Sequence, residues 1–204
     1  MTLRKGAFTL VLLIPVALFA HTGPANLNFE SGQPGQGPTG WFSSSSVSGV
    51  PFQAVLVNDG CAKGMQCALL NGAALPPGSW FGNLSQFIAA DRYLSRRIRF
   101  RAAVRVEGAN TRAQMWLRVD RVGGGSSAFN NMASRPITSG EWSYYTIDAN
   151  VAPDSARIFF GAFISGSGRV WVDDVSFEIV GNLREDPVGQ EVSWREFIDV
   201  LSVP

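Results

Sequence analysis

RIRFRAAVRVEGANTRAQMWLRVDR, residues 97–121, decides the fold class. In its first half Ile98, Phe100, Ala102, Val104 and Val106 fall on one side, while Arg97, Arg99, Arg101, Arg105 and Glu107 fall on the other. That is the period-two alternation of a strand with one face in a core. In the second half Ala113, Met115, Leu117 and Val119 alternate with Gln114, Trp116, Arg118 and Asp120. Residues 108–111 between them read as a hairpin loop. This register sets Glu107 opposite Arg112, Ala103 opposite Trp116 and Arg99 opposite Asp120, with opposite charges at both ends. Trp116 then lies over the small Ala103 on the polar face, flanked by Arg101, Arg105 and Arg118.

Outward from this pair the same grammar repeats. Strands are expected at 26–30, 41–45, 52–57, 67–72, 80–89, 143–149, 156–165 and 169–180, separated by clusters of Gly, Pro, Ser and Asn. No segment before residue 190 has helical periodicity. IFFGAFI, residues 158–164, is apolar on both faces and belongs at the centre of a sheet with cover on each side. The expected fold is all-β: an antiparallel β-sandwich jelly roll, with its first and last strands side by side.

With 204 residues, 46% of them apolar, and a net charge of +1, the chain suits one domain plus ends, and no nucleic-acid partner is implied. Residues 1–25 read as a signal peptide with a helical apolar stretch from Phe8 to Ala20, cleaved after Ala20 or Ala25. The expected location is therefore secreted or periplasmic, with no membrane association after cleavage. In an oxidising compartment Cys61 and Cys67, the only cysteines, favour a disulfide. Residues 26–180 form the sandwich, and 181–204 a linker and a short amphipathic helix. In that helix Ser193 and Glu196 make a capping box, and Trp194, Phe197, Ile198 and Leu201 a stripe. The stripe docks on the sandwich, binds a protein partner, or is the stub of a missing domain.

Three constellations bear on chemistry. Trp116, with Gln114, Arg118 and Asn130 as polar neighbours, forms a candidate glycan-stacking face; the competing reading covers Trp116 with a loop and leaves the arginines solvated or paired. Asp173 and Asp174 sit in the apolar strand around Trp171, Val172 and Val175. If the ends of the domain meet, Glu30 joins them, and three acids with backbone oxygens suit a structural calcium. The alternative is that one aspartate caps amides at a bulge while the other reaches water. No enzyme is expected: the one histidine, His21, lies at the signal junction, so a serine or cysteine nucleophile has no base.

NLNFESG, GWF, the RFRAAVRVEG/MWLRVD pair and the closing WVDDVSFE resemble the galactose-binding-like β-sandwich of carbohydrate-binding modules attached to secreted glycoside hydrolases. That resemblance implies calcium at Glu30, Asp173 and Asp174, and a glycan partner. More narrowly, GQGPTGWF, FGNLSQ, FNNMASRPITSGEW and GSGRVWVDDVSFE are similar to a non-catalytic domain in some bacterial secreted proteins, where it precedes a tail-specific-protease-like peptidase or an erythromycin-esterase-like domain.

Overall fold

Alternation of the kind seen at 97–107 organises ten strands in the computed structural model, which describes residues 23–46, 48–75 and 80–183. The strands are β1 (Phe42–Ser45), β2 (Val55–Val57), β3 (Cys67–Asn71), β4 (Phe81–Ala89), β5 (Arg96–Glu107), β6 (Arg112–Arg121), β7 (Ser126–Asn130), β8 (Ser143–Val151), β9 (Ser155–Ser165) and β10 (Arg169–Asn182). They form two five-stranded sheets, ordered β1-β4-β9-β6-β7 and β2-β3-β10-β5-β8, in which neighbours pair antiparallel. The molecule is a β-sandwich. The signal segment up to residue 22 and the C-terminal stripe at Trp194, Phe197, Ile198 and Leu201 lie outside the described residues.

The core is the space between the two inner faces. Ile98, Phe100, Ala102, Val104 and Val106 of β5 are buried there together with Ala113, Met115, Leu117 and Val119 of β6. Phe100 and Phe160 meet across the layer with ring centroids 5.2 Å apart. Each such large side chain removed from water contributes about 1.5–3 kcal/mol. Gln86, also buried, is satisfied by backbone: Ala25 N donates to its Oε1, and its Nε2 donates to Ala25 O and Gly40 O. It pins the opening segment to β4.

The hairpin between β5 and β6 does not form. β5 pairs with β10 and β8, β6 with β9 and β7, and residues 108–111 carry the chain from one sheet to the other. The charges find other partners. Arg97 and Arg99 engage Asp148 on β8, Arg118 engages Asp120 on its own strand, and Glu107 pairs with Arg169 on β10. Residues 26–30 are a turn and not a strand, with Asn26 and Phe29 at positive φ. Leu27 O nonetheless accepts from Val175 N at 2.9 Å, so the opening segment lies against β10. β7 was not expected, because its SSAFN is short and directly follows three glycines.

Candidate functional site

The two sheets leave two outer faces, and each of the expected constellations lies on one of them. On the outside of β2-β3-β10-β5-β8 the chain between β2 and β3 folds back over the sheet, closed by the disulfide Cys61–Cys67. All three acids assigned to calcium meet this loop. Asp173 Oδ2 accepts from Ala62 N and Lys63 N, both at 2.9 Å, and its Oδ1 from Asp174 N at 2.7 Å. Glu30 Oε1 accepts from Met65 N at 2.7 Å and Gln66 N at 3.1 Å. Gly64 makes this approach possible, because a Cβ there would lie 2.1 Å from Glu30 Oε1. Asp174, at φ 41° in a bulge of β10, accepts from Tyr144 Oη at 2.7 Å and pairs with Lys63 Nζ at 3.2 Å.

These contacts decide the electrostatics. Burial pushes the Asp173 carboxyl up, against the backbone amides of Lys63, Asp174 and Ala62 that pull it down. The hydrogen bond from Tyr144, with Lys63, holds Asp174 below the usual carboxylate range and raises the Tyr144 phenol in turn. N–H and O–H groups satisfy a carboxylate but do not ligate a cation. Among the described residues the one trio of ligand atoms within 4.8 Å of one another is Cys61, Cys67 and Asp173, and its sulfurs are bonded to each other. Glu30, Asp173 and Asp174 therefore do not fit a shared calcium. Asp173 caps amides beside a bulge, and the acids clamp a loop.

The other outer face, of β1-β4-β9-β6-β7, carries the expected glycan residues. Register puts Gln114, Trp116 and Arg118 opposite Phe163, Gly161 and Phe159, all on this side. Asn130, the last residue of β7, is opposite Leu117, which faces the core, and its Oδ1 accepts from Met132 N, so it is turned away from this face. Trp116 does point outward but is 0% exposed, packed with Phe129 and Phe163 and flanked by Phe81 and Phe159. Its indole spans β9 at Gly161, and Nε1 donates to Asn83 Oδ1 on β4 at 2.9 Å. A Cβ on Gly161 would sit 2.2 Å from Leu84 O, so β4 and β9 approach closely there. Trp116 is thus the floor of this face and offers no ring to a sugar.

The accessible aromatics are others, which alternation along single strands does not single out. Phe42 on β1, Phe87 on β4 and Phe159 on β9 form a near-parallel row with centroids 5.7 and 5.5 Å apart and interplanar angles of 23° and 30°. Phe42 is 44% exposed, and Phe87 and Phe159 are half-buried. The Arg118 guanidinium lies 4.7 Å from the Phe159 centroid while its Nε reaches Asp120 Oδ1 at 2.9 Å. The row thus ends at Arg118, which lines a cavity of about 740 Å³ together with Arg121, Ser126 and Arg157. At the Phe42 end is a second depression of about 440 Å³, shared with Trp41 and Phe52.

Solved structures share this architecture. The C-terminal family 22 carbohydrate-binding module of Clostridium thermocellum Xyn10B superposes with a TM-score of 0.56 at 13% identity, over 79% of this chain and 100% of that one. A family 61 module, TmCBM61, solved in complex with β-1,4-galactotriose, gives 0.51 at 17% identity, over 76% and 97%. The fold is that of the carbohydrate-binding modules. No protein-family model matches the chain. In sequence it is 34% identical over 162 residues to an uncharacterized HTH-type transcriptional regulator, YbfP, of Bacillus subtilis, an alignment covering 73% of this chain and 55% of that protein. The chain thus spans about half the length of the curated relative it matches. Among the described residues the only helical segments of this β-sandwich are two three-residue 3-10 turns, Gly72–Ala74 and Asp91–Tyr93. None of the described residues forms a helix long and apolar enough to cross a membrane.

Proposed function

We propose that the chain is a non-catalytic module, exported by residues 1–25, that binds a polysaccharide along the outer face of β1-β4-β9-β6-β7. The observation that carries this reading is the row Phe42–Phe87–Phe159 leading to Arg118. It is an apolar strip crossing three strands between two depressions, bordered at its β6 end by the polar groups of Arg118 and Asp120. A few placed polar groups beside apolar surface is the composition of a site that takes a ligand with both characters, and a pyranose has apolar C–H faces and a polar rim. The module fold supports the reading, as does the β-1,4-galactotriose bound by TmCBM61. We also place the chain, by the resemblance of motifs such as FGNLSQ and GSGRVWVDDVSFE, with the non-catalytic domains that precede secreted peptidases or esterases.

Affinity gels cast with single polysaccharides test this. Phe42→Ala and Phe159→Ala should each weaken retardation about tenfold, equivalent to ~1.4 kcal/mol, with the thermal melt of Phe42→Ala nearly unchanged. Retardation that both variants leave intact would remove this face from the account.

A further inference from the structure

At the β6 end of the phenylalanine row the surface changes character. The cavity there is lined by Arg118, Asp120, Arg121, Ser126 and Arg157, and by the side-chain-free wall of Gly123, Gly124 and Gly125. Three arginines meet one carboxylate of the lining, Asp120, and a second beside it, Asp154, which leaves an excess of one positive charge. The excess has a specific source. Arg118 is neutralised by Asp120, and Arg121 by Asp154. Arg157, on β9 beside Asp120, forms no ion pair among the described residues and is exposed at the lip. A Cβ built on any of the three glycines meets nothing within 4 Å, so the wall is open to a ligand.

Resting on the polysaccharide reading of the face, we propose that its ligand is an acidic polysaccharide, whose sugar rings run along Phe42, Phe87 and Phe159 and whose carboxylate enters this cavity to meet Arg157 and Arg118. The geometry favours a carboxylate over a neutral hydroxyl. Guanidinium groups offer paired N–H donors matched to two carboxylate oxygens, and charge-assisted hydrogen bonds are about twice as strong as neutral ones. Arg118 bridges both halves of the site: one side of its guanidinium covers Phe159 while the group also lines the cavity.

The test is retardation in gels containing polygalacturonate, alginate or carboxymethyl cellulose, set against gels of neutral β-1,4-galactan, xylan and hydroxyethyl cellulose. Two variants accompany the full chain. Arg157→Gln removes the free charge at the cavity without breaking an ion pair. Arg112→Gln removes the same charge at the opposite end of β6. The expected result is retardation by at least one carboxylated polymer, stronger than by any neutral one, weakened at least fivefold by Arg157→Gln and by 0.5 M salt but not by Arg112→Gln. Equal loss in both variants would reduce the effect to net charge and overturn the inference. Retardation by neutral polymers alone, indifferent to Arg157→Gln, would overturn it and leave the polysaccharide reading standing. If no gel retards the protein, the polysaccharide reading falls, and this inference with it.

Discussion

The two outer faces of the sandwich are built from the same residue types and come to opposite ends. On the face of β10, β5 and β8 the arginines are held by the protein itself. Arg101 lies 3.4 Å from the Tyr144 centroid and Arg105 3.9 Å from that of Trp171, and the disulfide-closed loop sits above, with Trp142 Nε1 donating to Gly60 O. On the face of β4, β9 and β6 one tryptophan is sunk into the sheet, a row of phenylalanines stays half open, and Arg157 has no ion pair among the described residues. Arginine beside an aromatic ring therefore does not mark a binding site. The covered face is not uniformly closed, since Trp171 is buried while Tyr144 is 48% exposed; what sets the other face apart is a row of rings beside an arginine with no ion pair among the described residues.

This contrast can be broken at its anchors. The largest effect is expected from Trp116→Ala, which empties the floor of the open face and removes the indole donor to Asn83 Oδ1. Loss of a fully buried Trp costs about 3–5 kcal/mol, read as a lower urea midpoint. A cost under ~1 kcal/mol would mean that Trp116 is not the floor. Next comes the closed face. Asp173→Ala leaves the amides of Ala62, Lys63 and Asp174 without their acceptor and should cost about 3 kcal/mol, while a chelator leaves the melt of the unaltered protein in place. A melt that falls with chelator would restore calcium to the loop.

The smallest effect sharpens the electrostatics of the closed face. The hydrogen bond from Arg99, with that from Arg97, holds the Asp148 carboxyl below its usual range. Its share of stability is therefore present at neutral pH and lost as pH falls from the usual carboxylate value of about 3.9 through the lower folded one. Asp173, raised by burial, has the opposite sign and does not add to that loss. Asp148→Asn should cost about 1 kcal/mol at neutral pH and less at an acidic pH below the usual carboxylate value, compared in urea melts. An equal cost at both values would show that the carboxylate charge is not what stabilises.

Much of this is legible in the sequence. Alternation set the inner and outer side of every residue from 97 to 107 and from 113 to 120, because one face of each strand had to leave water. The pairing of those strands was not readable, and the reason is geometric. Apolar faces match equally well when two strands lie side by side in one sheet and when they oppose each other across a core, as β5 and β6 do. Charge could not break the tie, since Arg99, Glu107 and Asp120 each found a complementary partner elsewhere. The acid doublet was legible as a pair needing neutralisation, and Leu27 does reach Val175. What the sequence hid was that the donors to Asp173 are amides of a loop more than a hundred positions away, and that Asp174 is met by the Tyr144 hydroxyl and the Lys63 ammonium. The near-neutral overall charge likewise concealed three arginines gathered at one cavity.

β10 comes last among the ten strands, yet it lies at the centre of its sheet, between β3 and β5. On the ribosome, β3 and β5 therefore face each other across an empty slot, with unpaired edges, until residues 169–182 have left the exit tunnel. That same strand delivers Asp173 to the disulfide loop, so the clamp cannot close sooner. Final assembly must wait for nearly the whole domain to be made, which predicts slow folding dominated by distant contacts and a nascent chain that needs shielding from its neighbours.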